Sequence, residues 1–378
     1  MTSLTAGSGP QGQKQPVALA SDTLSIPVYS CLTIISIALA LYFCFWVQVP
    51  HASSSAITVI VIASTDRKSM GSKSIARIIG TLIACFAMNV LFANFIQAPW
   101  MFLLTFALWM GTCVFVATIA PTPSFAYAAT MAGLTIGVVS IQQMTDPADI
   151  FKDSIDRFFV VSVGIASVGL VFGLIPSIYH QLFKLPSPRA KALAPKPIAL
   201  PSQSQGWAKA LRGGLATVLV ILVGCSFWVL TQWQDGSAML LIFGILTAQF
   251  IQMDKVIMLT IGVLIGLLVS IVSGFLCLFF VLPYVHGFPM LIGVLALFLL
   301  PAFIVKSRPI LGVIGSLYMS IFISLVGPEN NMNYDVSAYL NESLAFVVGV
   351  VLAGVVIALI LPDSLRFGSR PLKSTQTT

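Results

Sequence analysis

The sequence predicts an all-α integral membrane protein of about twelve transmembrane helices, arranged as two parallel repeats of six. Three observations predict it: a scarcity of charge, a train of long apolar runs, and an internal match between the two halves.

Charge comes first. Of 378 residues, 58% are hydrophobic and 8% are charged. A soluble domain carries about 25% charged residues, so this chain must take lipid as part of its solvent. Residues 1–25 are polar at their start, rich in Gly, Ser and Gln, and lack the apolar core and cleavage site of a secretory signal. They read as a disordered cytoplasmic tail, and the first apolar run reads as a retained helix.

The apolar runs of the first half are Tyr29–Val49, Ser53–Ser64, Ser74–Phe95, Ala98–Ile119, Ser124–Met144 and Ile155–Tyr179. Those of the second are Leu211–Thr231, Gly236–Met253, Val256–Leu282, Phe288–Val305, Ile310–Val326 and Ser343–Leu361. Barrel strands alternate apolar with polar residues, whereas these runs are apolar all round, so helices are expected. The domains follow: a membrane repeat at 26–180, a Pro- and Lys-rich cytoplasmic linker at 181–206, a second repeat at 207–362, and a cytoplasmic tail at 363–378.

Twelve spans place the termini and alternate loops on one side. That side holds all of the 19 basic residues except Lys152 and Arg157. The opposite side holds Asp146, Asp149, Asp153, Asp156, Asp235, Glu329, Asp335 and Glu342. By the positive-inside rule both termini are cytoplasmic. The net charge of +7 is therefore a topology signal. Basic residues are not interleaved with aromatics, which argues against nucleic-acid binding.

The halves match at a fixed offset. Gly80 pairs with Gly266, Pro123 with Pro309, Asp149 with Asp335, Asp156 with Glu342 and Pro176 with Pro362, each 186 residues apart. With six helices per half, both halves start from the cytoplasm, so the repeat is parallel.

Several residues stand out. The second and eighth runs are short and occupy corresponding places. Paired short segments point to a transport site, because broken helices free backbone groups; the plain alternative is a short tilted helix. Arg77, about a turn inside the third run, either attracts an anion or snorkels to the surface. Asp146, Asp149, Asp153 and Asp156 make one acidic stripe on a helix. The stripe is a solvated face, a docking surface, or a proton site at Asp156 paired with Glu342 in the second half. A carboxylate pair at one level of two repeated helices can exchange protons if burial raises its affinity for them. Trp46, Trp100, Trp228 and Trp233 lie near helix ends, as interface belts do. Trp109 and Tyr127 are deeper and can line a path for an aromatic ligand.

The six cysteines lie in apolar runs without a CxxC pair, and His51, His180 and His286 are far apart. No metal site and no cofactor are expected. With no nucleophile elbow and no phosphate loop, the chain does not read as an enzyme.

Lys73-Ser-Ile-Ala-Arg77-Ile-Ile-Gly80-Thr81 resembles the Arg-x-x-Gly-Thr motif of the fusaric acid resistance family, which includes the aromatic acid exporters. Ser124-Phe-Ala-Tyr127, Ala132-Gly133-Leu134-Thr135, and Pro147, Phe151 and Arg157 with Gly164-Ile165 resemble further segments of it. The likeness covers residues 28–180, and the second half agrees in architecture only. It implies six plus six helices in the bacterial inner membrane. It also implies efflux of small aromatic or organic carboxylic acids, driven by protons, often with a periplasmic adaptor. Carried over by motif, the substrate-path residues are Arg77, Gly80, Thr81, Tyr127, Gly133 and Arg157. Leu134 stands where the family often has Tyr, and the family's large cytoplasmic domains have no counterpart in these 378 residues. The partners implied are the acid, membrane lipid, an adaptor and a second copy of the chain. An organic-anion channel and a non-transporting accessory subunit remain as rival readings.

Overall fold

The computed structural model describes residues 26–64, 67–95, 97–142, 149–182, 203–233, 236–250, 256–306, 312–330 and 332–360. Among them the chain forms twelve α-helices and no strand. The first half holds α1 (Ile26–Val47), α2 (Ser53–Ile62), α3 (Arg67–Phe95), α4 (Pro99–Ile119), α5 (Pro123–Gln142) and α6 (Ile150–Leu182). The second holds α7 (Gln203–Thr231), α8 (Gly236–Phe250), α9 (Val256–Phe275), α10 (Phe288–Lys306), α11 (Gly312–Val326) and α12 (Val336–Ile360).

Eight of these helices are long and apolar enough to cross a membrane, and α2 and the body of α11 are shorter apolar helices. Their outward faces are apolar as well: Phe86, Leu230 and Leu359 are 74%, 80% and 75% exposed. Water would penalise such a surface and lipid does not, so the fold is that of an all-α, multi-pass membrane protein. Hydroxyls turn back onto their own helix, as Ser30, Thr33 and Ser36 do by donating to the carbonyls of Ile26, Tyr29 and Leu32. That local bonding satisfies a polar group where no water is available. Phe243, Phe303, Phe322 and Phe346 fill the core.

The packing repeats. In the first half α1 packs on α2 and α6, α2 on α6, α3 on α5 and α6, and α4 on α5. In the second half the same contacts recur with each helix number raised by six. Between halves, α2 meets α11 as α5 meets α8, and α4 meets α7 as α1 meets α10, the first of these last two being the more extensive. Exchanging the halves exchanges these contacts. The glycine match has a physical cause. A Cβ on Gly80 would come within 2.6 Å of the Ala128 carbonyl oxygen, and one on Gly266 within 3.0 Å of Ile314. Ala128 and Ile314 are themselves 186 apart, so both glycines open the same helix crossing. At α4–α7 the backbones touch through glycine on both sides: a Cβ on Gly111 would meet the Gly214 oxygen at 2.7 Å, and the reverse contact is 3.0 Å.

Some boundaries differ from expectation. α3 begins at Arg67 rather than Ser74, so polar residues before the apolar run are already helical. α6 runs on to Leu182 and α7 starts at Gln203, taking residues from both ends of the expected 181–206 linker. The ninth run extends past α9 as a π turn, Leu276–Val281, and a 3₁₀ turn, Leu282–Tyr284. Pro283 lies in that last turn, and a proline has no N–H to continue an α ladder. The expected tails at 1–25 and 363–378, and most of the linker, lie outside the described residues.

Candidate functional site

The site is built around α2. This ten-residue helix stops at Ala63, whose backbone is extended, so its last carbonyls have no helical partner. α8, its counterpart, has 15 residues. Both are short, in corresponding places, as the apolar runs suggest. α6 lies directly on α2: a Cβ on Gly164 would meet the Ser55 oxygen at 2.7 Å. α3 is fastened to α6 by the Asn89 amide, which donates to the Ser154 hydroxyl at 3.0 Å, and by the Cys85 thiol, which donates to the Ser154 carbonyl at 3.4 Å.

Two arginines point into this arrangement. α3 begins at Arg67, so Arg77 lies ten residues, about 15 Å, from the helix start and still about one turn inside the apolar run. It is 7% exposed and shares an inward face with Thr81, Ala84 and Met88. On that face the side chain is turned toward the neighbouring helices. Its Nη1 donates to the Met131 thioether of α5, a weak acceptor, and its buried Nε has no partner. Arg157, half-buried in α6, donates from Nη1 to the Ser54 hydroxyl of α2, and its Nε is likewise buried and unpartnered. The two guanidinium groups are near enough to feel each other's charge. Neither has an acidic partner: among the described residues the one ion pair is His51 with Glu329, at 3.6 Å.

The other motif residues divide by role. Gly80 lets α5 close on α3, which brings Met131 to Arg77. The Thr81 hydroxyl donates to the Arg77 carbonyl at 2.8 Å and so is occupied within its helix. Tyr127 lies one turn before Met131 on α5, on the same face, and its buried hydroxyl has no partner. Trp109 and Gly133 belong to the α4–α5 contact. The Trp109 indole donates to the Ala132 carbonyl at 3.3 Å, and a Cβ on Gly133 would meet Cys113 at 3.1 Å. The structure thus puts Arg77 and Tyr127 at the crossing of α3 and α5, Arg157 at that of α2 and α6, and Trp109 on the side of α5 that meets α4.

The acidic stripe is not a uniformly solvated face. Asp146 lies outside the described residues, and Asp149 stands immediately before α6. Asp153 and Asp156 each bury one carboxylate oxygen without a hydrogen-bond partner. Asp156 does not pair with its neighbour Arg157, since consecutive helical residues point about 100° apart. Glu342 is half-buried on α12. α6 packs on helices of the first half and α12 on those of the second, so the two acids occupy corresponding sites in separate halves.

Sequence reasoning missed Lys306, the last residue of α10. It read as a topology charge. Its Nζ crosses into the first half and donates to the Ile60 and Ala63 carbonyls at 2.8 and 3.2 Å, at the open end of α2. It also lies 5.5 Å from the Tyr29 ring centre, and the Tyr29 hydroxyl donates to the Ala63 carbonyl at 3.1 Å. A lysine ending an apolar run carries no sign of partners more than two hundred residues away. Met131, the partner of Arg77, was equally silent.

The sequence profile of the fusaric acid resistance protein family matches residues 27–182 and again residues 177–375. The second match corrects the expectation that the second half agrees in architecture only. The chain is 32% identical over 166 residues to the p-hydroxybenzoic acid efflux pump subunit AaeB of Musicola paradisiaca, covering 43% of this chain and 25% of that protein. It is 24% identical over 220 residues to the protein of that name in Pectobacterium carotovorum, covering 57% and 30%. It is 26% identical over 151 residues to the uncharacterized transporter YdhK of Escherichia coli, covering 39% and 22%. The chain therefore spans less than a third of the length of these curated relatives. No solved structure matches it. With both of its halves matched by one profile, the chain belongs to the fusaric acid resistance protein family.

Proposed function

We propose that this protein exports small aromatic or organic carboxylic acids across the bacterial inner membrane, driven by the proton gradient. The observation that carries this reading is the pair of arginines, Arg77 buried and Arg157 half-buried, each with a buried, unpartnered Nε and no acid in ion-pair range among the described residues. A buried cation is costly unless an anion offsets it, and a guanidinium suits a carboxylate best because it can donate two parallel hydrogen bonds. In this reading the carboxylate binds between Arg77 and Arg157. Tyr127 supplies a hydroxyl donor, and Trp109, on the α4 side of α5, meets the ring at a separate point of the path. Gly80, Thr81 and Gly133 hold the helices in place. Asp156 and Glu342 carry protons at corresponding sites of the repeats at 26–180 and 207–362. Both termini face the cytoplasm, on the strength of the basic side of the chain. The relatives' names support an aromatic acid as cargo.

The second reading is an accessory subunit, and the word subunit in the relatives' names favours it. Function in that case depends on a partner such as a periplasmic adaptor. Efflux of radiolabelled p-hydroxybenzoate from cells expressing the chain, with and without a protonophore, separates the readings. Protonophore-sensitive efflux that Arg77→Ala and Arg157→Ala each abolish is the expected result. No efflux from the well-expressed chain alone sinks the stand-alone exporter. Efflux unchanged in both variants sinks the arginine site. Efflux that never exceeds the downhill gradient assigns an organic-anion channel.

A further inference from the structure

The α4–α7 and α1–α10 contacts occupy corresponding places between the halves, yet they are built differently. At α4–α7 backbone lies on backbone, with the Gly111 and Gly214 oxygens 2.7 and 3.0 Å from where a Cβ on the opposite glycine would stand. Contact of that kind leaves no side chain between the helices to rearrange. At α1–α10 side chains do the joining. Tyr42 and Phe45 meet Phe288 at one end, with ring centres 5.5 and 6.0 Å apart, and Tyr29 meets Phe303 at the other, at 5.7 Å. Each end also has polar ties. At the Tyr29 end Lys306 gives two hydrogen bonds to α2. At the Phe288 end His51 lies 3.6 Å from Glu329, and the Asn330 amide donates to the Phe45 carbonyl at 3.2 Å. His51 and Asn330 are exposed and Glu329 is partly so, and an exposed ion pair holds weakly. The chain is strained at the same place. Gln48 and His51, in the turn between α1 and α2, have φ of 59° and 58°. Side chains rarely take such left-handed values, and residues held in them gather at sites and switch regions. Opposite them Gly327, at φ 51°, ends α11 and starts the segment that carries Glu329 and Asn330.

From these observations we infer that the corner joining the α1–α2 turn to the Glu329–Asn330 segment is a gate. The halves part there, turning about the α4–α7 contact and the Lys306 end of the α1–α10 seam. The inference rests on the export reading for what passes through, while the parting itself can be tested without transport. In the orientation proposed above the corner lies at the outer end, so it is the exit for the acid. The gate is tied to the arginine site by its own turn. The His51 carbonyl accepts from the Ser54 N–H at 3.0 Å, and the Ser54 hydroxyl takes the Arg157 donor. A carboxylate that claims Arg157 competes with Ser54, so loading the site loosens the turn that carries His51. Opening then breaks two exposed polar contacts and the ring contacts at Phe288, and leaves every helix whole.

The test uses the full chain in lipid nanodiscs, lacking the native cysteines and carrying nitroxide labels in pairs at exposed positions. Trp46→Cys with Met290→Cys spans the corner, and Leu108→Cys with Leu215→Cys spans α4–α7. Pulsed electron resonance reads the distances of each pair with and without benzoate. The corner pair should show a second, longer distance whose share rises with benzoate and with Glu329→Gln, and the α4–α7 pair should keep one distance throughout. One distance across the corner under all these conditions overturns the gate, and a second distance at α4–α7 alone overturns hinge and gate together. A disulfide lock gives an independent reading in the chain that keeps its native cysteines. Oxidising the Tyr42→Cys/Phe288→Cys variant should abolish efflux of radiolabelled benzoate until a reductant restores it. Oxidising Phe115→Cys/Trp207→Cys, at rings 5.6 Å apart across α4–α7, should leave efflux unchanged. Efflux through the locked corner overturns the gate. No efflux from the unlocked chain sinks the export reading instead, and the label distances still decide the parting. If the cysteine-free chain does not fold, the disulfide locks decide.

Discussion

Arg77 lies inside a helix and Asp335 just before one, and their surroundings give them opposite parts. Asp335 is exposed and stands just before α12, where its carboxylate accepts from the backbone N–H of Ser337 at 2.8 Å and of Ala338 at 3.3 Å. It also accepts from the Ser337 hydroxyl at 2.7 Å. That is an N-cap, and these bonds, the Ser337 hydroxyl above all, hold its carboxyl below the usual carboxylate range. The sign of the pH effect follows. A depressed native pKa stabilises the fold above the ordinary carboxylate value, and the contribution is lost as pH falls through the depressed one. Asp335→Ala should therefore lower the thermal midpoint at neutral pH, and the difference from wild type should vanish in strong acid. A difference that persists in acid would show that the cap does not act through its charge. Asp149 stands at the same point before α6, so the match between Asp149 and Asp335 marks the start of a helix in each half. Arg77 has no such local partners. Arg77→Lys should keep the charge but lose the planar fork, so efflux should fall between that of wild type and Arg77→Ala. Efflux from Arg77→Lys at the wild-type level would show that the fork is not used.

Among the elements, the helix crossings at glycine are the least tolerant of change. A side chain at Gly80 collides with the Ala128 oxygen and the Met131 Cβ, both on α5. Gly80→Val should destabilise by about 1–3 kcal/mol, the usual cost of overpacking, and should push Met131 away from Arg77. The expected readout is a lowered thermal midpoint together with weakened acid binding; weakened binding at an unchanged midpoint would mean that Gly80 acts at the site rather than in packing. Gly71 and Gly169 have nothing within reach of an added Cβ, so Gly71→Ala and Gly169→Ala serve as controls that should leave the midpoint unchanged or raised. α2 shows the opposite economy. It is short because residues at both ends are not helical, and its open carbonyl end is satisfied by Lys306 and Tyr29 instead of by another turn. The shortness was visible in the apolar run, whose polar flanks bracket it. The lysine that completes it was not, because its charge was fully explained by topology.

At the scale of the molecule, the two halves repeat their internal contacts but are joined unequally. The α4–α7 contact is close backbone packing through Gly111 and Gly214, whereas its counterpart, α1 with α10, is slighter. Beside that slighter contact Lys306 bonds to the end of α2. The chemistry is unequal too: Val263 and Ser343 stand where the first half has Arg77 and Arg157, 186 residues earlier. The two arginines thus belong to one half, while its partner half supplies Lys306. The expected orientation is open to a direct check. In a variant lacking the native cysteines, Asn333→Cys should react with a membrane-impermeant maleimide from the periplasm and Ser202→Cys only from the cytoplasm. The reverse pattern would invert the topology, and labelling of both from one side would break the helix count.

Composition and periodicity were enough to establish an all-α membrane fold, the approximate helices and the internal match, because each depends on local properties: a run of apolar side chains needs lipid, and a charge beside it needs water. The arginine motif and the short second run were legible for the same reason. What the tertiary structure decided is which of these residues meet. Arg77 is inward because α3 turns that face toward α5. Trp109 spends its indole N–H on α5. Lys306 reaches α2 across the boundary between the halves. Such pairings depend on how helices cross, and the crossing is set by glycines, small hydroxyls and backbone ends whose partners lie far away in sequence and leave no mark on the residues around them.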